Sequence, residues 1–158
     1  MLIAVEVASF AVQADNNAPL VILKETGGDR TIAVPIGSYE ASAIAIKSLN
    51  VISEKPLTID LVKSIVETFQ GKIEKVIING PLSDPSALLY VIFGNQTRVI
   101  ECRPGDGISL AMRTEARLFA DEKVFGNSPG ILALSEAEQL KSGISNIDTL
   151  DFGKYYIQ

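Results

Sequence analysis

PLVILKETGGDRTIAVPIGSYEASAIAIKSL, residues 19–49, decides the architecture. Two apolar runs, Pro19 to Lys24 and Arg30 to Ile36, flank Thr26-Gly27-Gly28-Asp29. A Gly-Gly turn between such runs predicts a β-hairpin. The period then changes. After Gly37, the residues Ala41, Ile44, Ala45, Ser48 and Leu49 recur at the spacing of one helical face, and Ser38 is placed to cap that helix. Strands followed by helices predict an α+β domain.

The reading extends outward from this hairpin. Upstream, residues 2–13 form a β-branched apolar run ending at Asp15-Asn16-Asn17, so the chain opens as a β-meander. Downstream, Thr58 is placed to cap a second helix, and Val62, Ile65, Val66 and Phe69 predict its buried stripe before Gly71 stops it. Residues 72–79, 87–93 and 97–102 predict a second antiparallel meander, with a loop at residues 80–85 and a hairpin turn at Gly94-Asn95-Gln96. Leu88 to Phe93 is apolar throughout, the pattern of a central strand covered on both faces. Arg103-Pro104-Gly105-Asp106 leads into a third helix with Ile108, Ala111 and Met112 on one face, and residues 117–120 predict one more short strand.

These elements predict a single mixed or antiparallel sheet with three helices in one domain, residues 1–126. Asn127-Ser128-Pro129-Gly130 marks a boundary. Residues 127–158 read as a C-terminal appendage, with a short helix over 135–140 and Tyr155-Tyr156 as anchors, packed on the same unit or docked on a neighbouring subunit.

Composition limits the chemistry. The 158 residues are 47% apolar and 21% charged, enough for one folded core. The opening apolar stretch is broken by Glu6, lacks a basic start and is too short to span a bilayer, so neither a membrane nor a secretory route is expected. Cys102 is the single cysteine, which excludes an internal disulfide, fits a cytoplasmic setting and reads as a packed small residue. There is no histidine, so Ser-His-Asp and Cys-His arrangements and His-ligated zinc are excluded. Carboxylates, Lys, Arg, Tyr, hydroxyls or an oxygen-ligated metal are left. The formal charge of −5 opposes simple phosphate binding, although residues 58–119 carry seven basic and seven acidic groups and repel a polyanion least.

Four stretches, in order, resemble the bifunctional nuclease domain family across about residues 1–125. They are Val34-Pro35-Ile36-Gly37 with Glu40-Ala41 and Ala43-Ile44-Ala45; Lys55-Pro56-Leu57-Thr58-Ile59-Asp60-Leu61; Lys75-Val76-Ile77-Ile78; and Arg103-Pro104-Gly105-Asp106-Gly107-Ile108 with Leu110-Ala111. The resemblance implies action on RNA and DNA. Two positions depart from the family's pattern: Ile59 stands where its Pro-Leu-Thr-His-Asp stretch has a histidine, and Gly105 where its Arg-Pro-Ser-Asp-Ala stretch has a serine.

Glu40, Asp60 and Asp106 each fall in or beside the first turn of an expected helix. An acid there meets unpaired N–H groups and the positive dipole end, worth about 0.3–1 kcal/mol. The functional reading goes further. If those helix starts converge on one cleft, Glu40, Asp60 and Asp106 could hold Mg²⁺ or Mn²⁺ and activate water for attack on a phosphodiester. Arg103 would then stabilise charge on the phosphate, although it could equally pair with Asp106 to fix the Pro104–Gly105 turn. Arg113, near a helix end, suits the dipole there. Tyr39 could stack on a base, though packing is the commoner role. Gly27-Gly28 and Gly105-Asp106-Gly107 lack phosphate-loop spacing and read as turns.

The expectation is therefore a divalent-metal-dependent nuclease using Glu40, Asp60, Arg103 and Asp106 on RNA or DNA. The alternative is a non-catalytic oligomeric module that binds a protein partner or a small ligand. A homodimer is expected in either case, because the open edges of the meander and the high apolar fraction need cover.

Overall fold

The computed structural model describes residues 1–13, 16–126 and 131–132. Its elements run β1 Leu2–Gln13, β2 Pro19–Glu25, β3 Thr31–Pro35, α1 Ser38–Ser48, α2 Thr58–Thr68, β4 Gly71–Asn79, β5 Ser86–Phe93, β6 Gln96–Cys102, α3 Pro104–Thr114, β7 Arg117–Asp121 and β8 Ile131–Leu132, with a 3-10 turn over Glu122–Gly126. This is the α+β, single-sheet domain that the hairpin and the period changes predict. The boundary at 127–130, the helix over 135–140 and the tyrosines at 155 and 156 lie outside the described residues.

The strands form one mixed sheet in the order β3-β2-β1-β7-β4-β5-β6, and β8 pairs with the far end of β1. Among the described residues only β4 and β7 run parallel, with Val76 opposite Leu118 and Ile78 opposite Ala120. The others are antiparallel, as hairpins require. Between β2 and β3 the chain turns at Gly27, whose φ of +80° favours glycine.

All three helices lie against one face of this sheet, but unequally. Ile44 and Ala45 of α1 and Ile108, Leu110 and Ala111 of α3 are buried among Val21, Leu23, Val34, Val76, Ile78, Ala87 and Leu89. Gly107 brings α3 close. A Cβ there would stand 2.8 Å from the Ala87 methyl and 3.0 Å from Val76 Cγ1. In contrast, α2 has no buried residue.

Four local expectations need correction. Of the stripe Val62, Ile65, Val66 and Phe69 only Val66 packs half-buried on the core; Phe69 is 72% exposed and Ile65 49%. Helical period shows that an apolar face exists, not what covers it. The helix caps fall one residue earlier than expected: Gly37 caps α1 and Leu57 caps α2, while Ser38 and Thr58 are the first helical residues. Gln70, at φ +58°, makes the left-handed turn after α2. Gly71 is required for space instead, since a Cβ there would overlap the Phe93 ring. Finally, β5 alternates between buried and half-buried positions, so only its helix-facing side is fully covered.

Candidate functional site at the mouth of an apolar cleft

Glu40 sits in the first turn of α1 and is only 5% exposed. Two glycines make its seat. A side chain at Gly37 would overlap the Glu40 carboxylate, and one at Gly105 would overlap its Cβ and Cγ. A buried carboxylate is costly unless paired. Its partner is Arg103, the cap residue of α3, whose Nη1 lies 3.0 Å from Glu40 Oε1. Arg103 also donates from Nε to Asp106 Oδ2 at 2.9 Å. One guanidinium is thus held by two carboxylates while its side chain stays 69% exposed. These bonds, to Asp106 first and Glu40 second, push the already high Arg103 pKa further up, so it is a permanent cation.

Asp60 belongs to a different knot. Its Oδ2 accepts from the Leu57 N–H at 2.9 Å, closing the start of α2, and its Oδ1 accepts from Arg113 Nε at 2.7 Å. Arg113 is only 6% exposed. It also donates to Ser109 Oγ at 2.7 Å and, through Nη2, to the Ala43 carbonyl at 2.9 Å. A single side chain therefore joins α1, α2 and α3. Because α2 has no fully buried residue and only Ile59 and Val66 pack half-buried on the core, this polar tie has a large share in fixing that helix.

Between α2 and the sheet lies a cleft of about 750 Å³. Ile59, Val62 and Val66 line it on one side, Leu89, Val91 and Ile100 on the other. Glu40, Arg103 and Asp106 also line it and supply most of its charge. A cavity of this size with aliphatic walls and a few convergent polar groups has the form of a ligand site.

Residues 21–130, well over half of the chain, match the family described as the bifunctional nuclease domain. The chain belongs to this family. Two uncharacterised proteins from two strains of Mycobacterium tuberculosis are each 29% identical to it over 135 residues, covering 85% of this chain and 80% of theirs.

In this bifunctional nuclease domain, both departures from the family pattern fall at the cleft. Ile59 forms part of its wall, so an apolar surface stands where an imidazole is expected. Gly105 leaves the room that Glu40 fills. Glu40, Arg103 and Asp106 come together as a triad, whereas Asp60 is drawn away to Arg113. Among the described residues no three acidic, histidine or cysteine side chains form a metal-binding group. The chemical reason is that two arginines already bind these three carboxylates and hold Asp60 apart from the other two. The three-acid metal set does not fit. Asp106, about one-third exposed, is the accessible carboxylate of the Glu40–Arg103–Asp106 group.

Sequence reasoning missed Ser109 and the Ala43 carbonyl as partners of Arg113. Ser109 and Arg113 are one helical turn apart, which was a usable signal; the Ala43 contact spans 70 positions and had none.

Cys102 also lines the cleft. Burial, with a smaller contribution from the Asp106 charge, pushes its thiol up to about 11 from an ordinary 9.0. Since the thiolate is the nucleophile, its fraction at neutral pH falls by about 100-fold. Iodoacetamide labelling followed by mass spectrometry should therefore be slow at pH 8 and rise steeply only above pH 10 (about two units later than a free thiol). Fast labelling near pH 8 would contradict this burial.

Proposed function

We propose that this domain binds RNA or DNA strands by their phosphates at the polar end of the cleft and hydrolyses a phosphodiester bond there. The observation that carries the reading is Arg103: an exposed guanidinium held in place by two carboxylates. A fixed planar fork matches two phosphate oxygens and needs little reorganisation when charge builds on them. Asp106 is the proton acceptor in this reading. Water attacks phosphorus, a new P–O bond forms, the ester P–O bond breaks, and the proton of the attacking water passes to Asp106. The leaving alkoxide takes a proton from solvent. Without histidine, the carboxylate beside Arg103 takes this role.

The pair Glu40 and Asp106 outweighs Arg103 by one negative charge, which opposes a phosphate. A hard cation such as Mg²⁺ or Mn²⁺, carried in on the strand's own phosphate oxygens, would offset that charge. Among the described residues no helix is long and apolar enough to cross a membrane. The lone Cys102 suits the reducing cytoplasm.

Labelled single-stranded RNA and DNA, incubated with Mg²⁺, Mn²⁺ or EDTA, test the reading. Cleavage by the unaltered protein, reduced by roughly 100-fold in Asp106→Asn, is expected. No cleavage under any condition, or an undiminished Asp106→Asn, would refute it.

A second reading is favoured by the aliphatic lining of the cleft: a non-catalytic module that takes a small apolar ligand. Thermal shifts would separate the two. Stabilisation by an apolar compound, with no response to divalent cations plus oligonucleotide, favours the module.

A further inference from the structure

Arg103 and Asp106 occupy one end of a cleft that is far larger than a phosphate needs, about 750 Å³. The rest of it has two facing aliphatic walls, Ile59, Val62 and Val66 on α2 against Leu89, Val91 and Ile100 on the sheet. Facing apolar walls make a slot, and a slot takes a flat ring between its sides. Phosphates cannot follow, because a charge moved into apolar surroundings loses its hydration without return. The part of a nucleotide that suits this space is its base.

The polar groups of the cleft point the same way. A phosphate on the Arg103 guanidinium lies at the mouth of the slot, so its own nucleotide has the shortest path in. Three serines also line the cleft, but each hydroxyl already has a partner within the domain. Ser42 Oγ donates to the Ser38 carbonyl at 2.7 Å, Ser53 Oγ donates to the Lys55 carbonyl at 2.6 Å, and Ser109 Oγ accepts from Arg113 at 2.7 Å. The walls therefore grip a ring by its faces and do not read its edge. Along the outer side Val62 is 37% and Ile100 50% exposed, so the polar edge of a base keeps its water.

We propose that the cleft is a base-insertion slot: the nucleotide whose phosphate sits on Arg103 turns its base out of the strand and in between α2 and the sheet. This rests on the reading of Arg103 as the phosphate-binding group and extends it to a substrate class. A paired base enters only after it is unstacked and unpaired, which costs free energy that an unpaired base does not spend. The domain thus selects single-stranded segments, loops and ends, with little preference among the four bases. Ile59 sets this tolerance. It gives the slot an aliphatic wall at the position of the family's histidine, where an imidazole would offer a hydrogen bond to one base edge and not another. Tyr39 lines the same cleft and adds a ring on which the next base along can stack.

Two measurements on the full chain test the slot, with Ca²⁺ as the cation and the strand checked intact on a gel. The first is the fluorescence of 2-aminopurine placed in a short single strand. The probe is dim when stacked in the strand and should brighten at least about threefold between aliphatic walls, while the same probe in a duplex should change little. The second compares a pentanucleotide with the same strand lacking its bases. Loss of the bases should weaken binding to the unaltered protein at least about fivefold. In Val62→Trp, where a large side chain fills the slot from a partly exposed position, that difference should fall below about twofold. No brightening, equal affinity for duplex and single strand, or a base dependence unmoved by Val62→Trp would each overturn the proposal. The first two use only the unaltered protein and stand even if the variant misfolds. Cleavage without these signatures removes the slot and leaves the hydrolysis reading; these signatures without cleavage leave the slot and remove the hydrolysis. A protein that binds no strand removes both.

Discussion

Arg113→Met should lower the thermal unfolding midpoint by roughly 10 °C. The substitution keeps the length and apolar stem of the side chain but removes every polar contact. Asp60 loses its 2.7 Å bond, and Ser109 and the Ala43 carbonyl lose their donors. Breaking a buried ion pair costs about 3–5 kcal/mol when both charges are enclosed. Asp60 is about one-third exposed and partly rescued by water, so about 2–4 kcal/mol is the better expectation. In a domain of this size each kilocalorie moves the midpoint by roughly 4 °C. Calorimetry measures it. A shift below about 2 °C would mean that α2 is held by something other than this knot.

Gly105→Ser, which installs the family's residue, is the second large effect. The new Cβ would overlap Glu40 Cβ and Cγ, atoms too near the α1 backbone to swing aside. Overpacking of this kind costs about 1–3 kcal/mol. The change should also push Glu40 from its seat and free Arg103 from one of its two carboxylates, so phosphate binding should fall with stability. Gly105→Ser combined with Glu40→Ala removes only the overlap with Cγ, because alanine keeps the overlapping Cβ, and should regain only part of the lost midpoint. If the single variant is as stable as the unaltered protein, Glu40 is not seated as described.

The sequence made most of the fold legible because its periods are clean. The Gly27-Gly28 hairpin, the 3.6-residue spacing in α1 and α3 and the strand runs each specify one local answer. The errors have a physical pattern. Val62, Ile65, Val66 and Phe69 are amphipathic, but period cannot distinguish a face packed on its own sheet from one that stands off a cleft. Ser38 and Thr58 are the stronger capping types, yet Gly37 and Leu57 hold the cap positions, and an Asp60 carboxylate reaching back supplies the missing acceptor at α2. Local chemistry outweighed composition at those ends.

The site was legible in part. Helix starts correctly pointed to Glu40, Arg103 and Asp106 as neighbours, because Arg103 and Asp106 are three residues apart and two glycines leave Glu40 its room. They failed for Asp60. Its partner Arg113 lies 53 positions away, and no local pattern encodes that distance. The reading of Arg113 as structural rested on the helix dipole, whereas the structure gives it a more specific task, the joining of three helices.

The claim that Arg103 is the phosphate-binding group can be measured directly, by fluorescence anisotropy of a labelled single-stranded oligonucleotide. Arg103→Ala should weaken binding by at least about tenfold, the equivalent of one charge-assisted contact. Arg117→Ala, which removes a cation on the opposite face of the sheet, should change it little. Equal affinity for Arg103→Ala and the unaltered protein would contradict the account.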